Sequence, residues 1–244
     1  IITNDEKQTK TSISAPSLFP VYAFLDAKYM ACLPQSVTVN TALDALSHAV
    51  EGMLSVRASL ITDALARESI SLLWDSLLKG EYSAQSRRNL LHGSVLAGMV
   101  IANTGTSPVH GMGYSLTYFH DVPHGRANAI LLPYVMSFTA GCHTSLTPAA
   151  ARYAQMAAVL NLDSNGVRQS ALAAIRATRN LIRKLNIPAS FHEAGVDKKI
   201  FEGELDAMTE AAMADGCMAT APVPFRPDEI RSIFRTAYSG KLLV

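Results

Sequence analysis

Long apolar runs are missing from this chain. No stretch reaches the ~18 residues that a membrane-spanning helix needs, and no secretory signal pattern is visible. Cysteine is scarce: Cys32, Cys142 and Cys217 are far apart, odd in number and form no CxxC pair. That argues against a disulfide scaffold and predicts a reducing, cytoplasmic setting. Charge is also sparse, at 17% of residues with a net of +1, so no nucleic-acid or anionic-membrane partner is expected. Arg87-Arg88, Arg176, Arg179 and Arg183-Lys184 are scattered and are expected on solvated helix faces. No GxSxG or HExxH is present, and no GxGxxG or P-loop, so the chain shows no recognisable phosphate cradle of its own. Internal repeats and low-complexity segments are absent. The chain opens on Ile1-Ile2-Thr3 without an initiator methionine, as expected of a piece of a longer polypeptide.

What the chain does have is helical periodicity. With 244 residues, about half of them apolar, it is long enough to bury a sizeable core. Val21-Tyr22-Ala23-Phe24-Leu25 does not alternate and reads as a short buried strand. From residue 38 onward the pattern changes. Thr38, Asn40 or Thr41 is a candidate cap for a helix to about Ser55, whose apolar residues cover nearly its whole circumference and mark it as buried. Further helices are predicted from Ser59 or Thr62 to Gly80, from Ser83 to Asn103, from Thr106 to Phe119, and from His124 onward with Pro133 inside or near its end. Amphipathic helices follow over 147–160, 164–185, 197–213 and 227–239. No convincing strand follows residue 38, so the bulk reads as mainly α.

Chemistry concentrates in His110–Gly125, HGMGYSLTYFHDVPHG, and in Asp44-Ala45-Leu46-Ser47-His48 upstream. On a helix, Asp44 and His48 share one face, a turn apart. The common fate of such a pair is a surface contact worth a few tenths of a kcal/mol. Here the helix has little polar surface, and burying an unpartnered carboxylate costs several kcal/mol. A metal ion or a buried arginine would satisfy it. Imidazoles with one carboxylate suit zinc or ferrous iron better than calcium or magnesium. His110 or His124 alone would be an ordinary core or helix-start residue. His120 reads equally as a ligand or as a loop rim. His92, His143 and His192 have no partners at useful spacing and read as structural. Gly111, Gly113 and Gly125 would let backbone or ligand approach closely.

These stretches carry a resemblance. Thr41–Glu51, TALDALSHAVE, is similar to the DALxHAxE helix of the iron-containing (group III) alcohol dehydrogenases. That family belongs to a superfamily with glycerol dehydrogenase and dehydroquinate synthase. Residues 104–111 resemble the segment leading into the family's first histidine, and Pro123–Pro133, PHGRANAILLP, matches its PHGxANAxLLP almost letter for letter. The resemblance implies the C-terminal all-helical domain, over 38–244, of a dehydroquinate synthase-like two-domain fold. Residues 1–37 would be remnant strands and linker of a Rossmann-like cofactor domain.

The resemblance also implies a metal-dependent, NAD(P)-linked alcohol dehydrogenase acting on a small alcohol or aldehyde. Its ligands, to Fe2+ or sometimes Zn2+, would be Asp44, His48, His110 and His124. The metal would be a Lewis acid on the substrate oxygen, with hydride passing to the nicotinamide. Lys10 falls roughly where the family has a cofactor-side lysine. Tyr114 stands where the family usually has a further histidine, which nominates it as a substrate or cofactor contact and proton relay. Ala221-Pro222-Val223-Pro224 replaces a common Asn-Pro-Arg turn. The family's GGGS-type pyrophosphate loop is not in this chain, so these residues alone are expected to bind metal but hardly NAD(P), and to be inactive alone. A homodimer is implied for the full-length protein. Rival readings are a glycerol-dehydrogenase-like zinc enzyme and a non-catalytic metal-binding or oligomerisation domain.

Overall fold

The computed structural model describes residues 2–4, 6, 9–11, 15–162 and 165–242, with residue 4 and residues 9–11 described by backbone alone. Two short antiparallel strands, β1 (Ile2–Asn4) and β2 (Thr9–Thr11), pair Ile2 with Thr11 and Thr3 with Lys10. Everything regular that follows is helical: α1 (Gln35–Leu54), α2 (Leu60–Lys79), α3 (Ala84–Thr104), α4 (Pro108–His120), α5 (His124–Ala140), α6 (Pro148–Val159), α7 (Gly166–Lys184), α8 (Lys198–Ala214) and α9 (Pro227–Ser239). Short 3-10 turns at Pro16–Leu18, Ala27–Met30 and Gly216–Thr220 complete the described elements.

Local chemistry accounts for most helix ends. Ser59 and Thr62 form a reciprocal capping box at the start of α2. Ser83, Thr147 and Asp197 accept first-turn N–H groups of α3, α6 and α8. Gly80 ends α2 at φ 69°, a left-handed cap that a residue with a Cβ adopts at a cost. The start of α1 differs from the sequence expectation. It begins directly after Pro34, and the hydroxyls of Thr38 and Thr41 donate back to the carbonyls of Pro34 and Val37 at 3.1 and 2.9 Å instead of capping. Pro133 is buried inside α5, which continues through it.

α1 is the central rod. Leu43, Leu46, Ala49, Val50 and Met53 are buried, as its apolar circumference predicts. It packs on α2 and α3 on one side and on α5 on the other; α6 and α7 pair beside α5, and α8 and α9 close over α4 and α5. Two expected surface arginines are anchors instead. Arg87 donates to the carbonyls of Met30, Leu33 and Tyr82, fastening the 26–34 turn to α3, and Arg179 donates to the Gly240 carbonyl.

The strand expected at Val21–Leu25 does not form. Val21 is 87% exposed and Phe24 93%. An apolar run is a strand only where neighbouring strands supply ladder partners, and none of the described strands lies beside this one.

Candidate metal centre

Three helices meet at one point. α1 brings Asp44, His48 and Glu51, spaced to share a face. α4 brings His110 from its first turn, and α5 opens on His124. The helices approach closely because glycines line the crossing. A Cβ on Gly125 would lie 2.1 Å from the Asn40 carbonyl oxygen, and one on Gly113 would lie 2.0 Å from the Asn128 amide oxygen. Gly111 is different: its nearest neighbours stand at ordinary contact distance, 3.5 Å and beyond, so only Gly113 and Gly125 are demanded by close approach.

One donor atom each from Asp44, His110 and His124 lies within 4.8 Å of the others. The Nε2 atoms of His110 and His124 stand 3.5 and 3.6 Å from Asp44 Oδ1. Ligands held at ~2.1 Å from a tetrahedral ion are about 3.4 Å apart, so the spacing fits one divalent cation. His48 sits at the margin. Its Nε2 is 4.0 Å from Asp44 Oδ2, and its ring stacks on that of His110 with centroids 4.5 Å apart. The structure thus gathers three of the four expected ligands tightly, with His48 alongside. His120 is elsewhere: it ends α4 and faces Glu204 at 3.6 Å. His92, His143 and His192 take no part in the cluster.

The electrostatics are those of a buried polar knot. Burial raises the Asp44 carboxyl, but the hydrogen bond to His110 and the charges of His48, His110 and His124 outweigh it and hold it well below the usual carboxylate range. For His110, burial opposes the charge, yet Glu51 and the bonds to Asp44 and Glu51 raise it to about 9. His48 is pushed down to about 4, first by burial and then by His110. No arginine answers Asp44; its partners among the described residues are these histidines and Asn128.

Sequence reasoning missed two residues of the knot. Asn128 is fully buried, and its Nδ2 lies 2.8 Å from Asp44 Oδ1 and 3.1 Å from both the His110 and His124 Nε2 atoms. The two amide protons thus have the Asp44 carboxylate and both ring nitrogens within reach, and which of them they bond depends on where the ring protons sit. The Asn128 amide oxygen meanwhile is buried without a hydrogen-bond partner. Glu51, 2% exposed, accepts from the Val109 N–H at 2.8 Å and meets His110 Nδ1 with its other oxygen. A carboxylate on an apolar helix must be answered, and Glu51 sits on the same apolar helix as Asp44, so the sequence held the signal for it.

Tyr114 is buried beside the knot, stacked on His124 at 5.2 Å and edge-on to His110 at 6.1 Å. Burial raises its phenol above the ordinary value. Lys10 lies in β2, which runs against α4; its side chain is outside the described residues.

A family model described as "Fe-containing alcohol dehydrogenase family, C-terminal" matches residues 38–238. The chain belongs to the iron-containing alcohol dehydrogenase family. It is 30% identical over 241 residues to the NADPH-dependent butanol dehydrogenase of Clostridium saccharobutylicum, covering 98% of this chain and 61% of that protein. It is 32% identical over 243 residues to the lactaldehyde reductase of Escherichia coli K12, covering 98% and 60%. Among solved structures, the iron-containing alcohol dehydrogenase of Thermococcus thioreducens superposes with a TM-score of 0.85 at 29% identity, covering 94% of this chain and 57% of that one. A 1,3-propanediol oxidoreductase superposes at 0.79 and 32% identity, covering 87% and 55%. The chain therefore spans about 60% of the length of the first two relatives. Asp44, His48, Glu51, His110, Tyr114, His124 and Asn128 all lie inside the span matched to the iron-containing family. No described helix is long and apolar enough to cross a membrane.

Proposed function

We propose that this chain is the metal-holding part of an iron-dependent, NAD(P)-linked alcohol dehydrogenase that interconverts a small alcohol and its aldehyde. Asp44, His110 and His124 would hold the ion, with His48 as the fourth donor. Fe2+ fits this nitrogen-and-carboxylate set, and Zn2+ does too. The observation that carries the reading is the convergence of Asp44 Oδ1 with two Nε2 atoms at 3.5 and 3.6 Å, the separation expected of ligands on one tetrahedral divalent ion. A divalent ion bound there supplies Lewis acidity to an alcohol or carbonyl oxygen.

The chain's own residues do the rest. His110, 1% exposed, anchors the dry side of the site. Asp44, His48 and His124 are 22%, 22% and 32% exposed and face the wetter side, from which a substrate would come. Tyr114, flush against His124, is proposed to stay a neutral phenol that accepts and donates a proton at its hydroxyl. The described residues contain no phosphate cradle, so NAD(P) recognition is not assigned to them beyond the sequence expectation at Lys10. The division into residues 1–37 and a helical metal-binding domain over 38–244 belongs to the same proposal, supported by a family match that begins at residue 38.

The test is elemental analysis of the chain purified without chelator, beside His124→Ala. Near-stoichiometric iron or zinc is expected in the wild type, with most of it lost in the variant. A wild type that is helical by circular dichroism, yet metal-free and refractory to anaerobic loading with Fe2+ or Zn2+, would overturn the reading.

A further inference from the structure

Glu51 stands at a place where one carboxylate does two jobs. α4 begins at Pro108 behind Ser107, whose hydroxyl makes no cap and is buried without a partner. The first-turn N–H groups of a helix have no acceptor within it. Glu51 reaches across from α1 and answers the Val109 N–H: its Oε1 accepts from it at 2.8 Å and lies 3.4 Å from the His110 N–H, whose shorter bond, at 3.1 Å, goes to the Ser107 carbonyl. Its Oε2 is then committed to the His110 ring at Nδ1. Both groups are almost fully buried, at 1% and 3% of the side chain exposed, so no water competes for either oxygen.

An ionised carboxylate accepts and cannot donate. Both partners of Glu51 must therefore be donors, the backbone N–H and the imidazole Nδ1–H. A neutral imidazole carries one ring proton. Placing it on Nδ1 leaves Nε2 as a lone pair, and Nε2 is the atom that faces Asp44, His124 and Asn128. We infer that Glu51 is a positioning residue that fixes the His110 proton on Nδ1 and so presents the Nε2 lone pair to a metal held with Asp44 and His124. The inference rests on the metal reading above and adds to it the residue that sets the state of its most buried donor.

The isosteric amide makes a sharp test, because glutamine has one acceptor and one donor end. In Glu51→Gln the amide oxygen is claimed by the Val109 N–H, and the NH2 group faces His110. The ring answers by accepting at Nδ1, its proton moves to Nε2, and the lone pair leaves the metal face. Every hydrogen bond can be satisfied, so the fold survives while the donor is lost.

Two measurements decide the matter. Long-range 1H–15N spectra of histidine-labelled, metal-free protein, followed to alkaline pH until His110 shows a single ring proton, locate that proton: Nδ1 is expected in the wild type and Nε2 in Glu51→Gln. Competition with a chromophoric chelator near neutral pH reads the zinc affinity, expected to fall about 10–100-fold in Glu51→Gln with the circular-dichroism spectrum of the folded, metal-free protein unchanged. A wild-type ring protonated on Nε2 overturns the inference without recourse to any variant. So does a Glu51→Gln protein whose zinc affinity equals that of the wild type. Failure of the metal reading looks different: neither protein takes up zinc, and the ring-proton assignment alone then decides whether Glu51 governs His110.

Discussion

Tyr114 is the residue whose surroundings bear most directly on its proposed role. It lies flat on His124, one helical turn beyond His110 on α4. Burial holds its phenol protonated, so it can take part in proton transfer only through its hydroxyl, as donor and acceptor together. Tyr114→Phe removes that hydroxyl and keeps the ring stack. On the proposed function, kcat of the full-length protein is expected to fall about 100-fold, the scale of general acid–base assistance, with one limb of the pH–rate profile displaced. An unchanged profile would leave Tyr114 as packing. Its neighbourhood was legible in the sequence only through its register with His110. Asn128 and Glu51 stood in the same motifs and went unassigned, because a pattern shows which residues share a face but not which polar atoms end up within 3 Å of one another.

Element by element, the sequence readings held where periodicity and caps agreed. Ser59 and Ser83 cap the helices they were expected to start, and α4 and α5 bracket the His110–Gly125 stretch. α1 began earlier than expected because threonine hydroxyls can bond back into a helix as readily as they cap one. The contact between α1 and α5 is the one that positions the site, since at Gly125 two backbones touch with no side chain between them. Gly125→Ala must push α5 off Asn40. The expected cost is about 1–3 kcal/mol in denaturant unfolding, with reduced metal content because His124 moves with its helix. Unaltered stability and full metal occupancy would show that the crossing yields freely.

Across the whole molecule, the two most perturbed imidazoles pull the metal-free protein in opposite directions. His110 is raised to about 9, so its contribution is fully present below the unfolded value near 6.5 and is lost as pH rises through 9. His48 is lowered to about 4; its contribution is present above 6.5 and is lost as pH falls through 4. Melting temperatures in chelator are therefore expected to peak near pH 6.5, with the alkaline decline abolished in His110→Gln. A flat profile between pH 6.5 and 9 would contradict this account.

The same scale explains the strand that failed to appear. Val21–Leu25 has the composition of a buried strand, but burial belongs to the neighbours, and a sequence cannot show which of them lie beside it. The exposed patch formed by Leu18, Phe19, Val21, Tyr22 and Phe24 is the kind of surface that proteins normally cover.

The uneven wetting of the knot has a kinetic consequence. α8 and the 216–220 turn lie against α4 and seal the His110 side, while His124 and His48 remain reachable from solvent. An incoming ion would meet His124 and His48 first and His110 last. Residence time would then be governed by how often the His110 bond opens, and a chelator would have to wait for that event rather than force it.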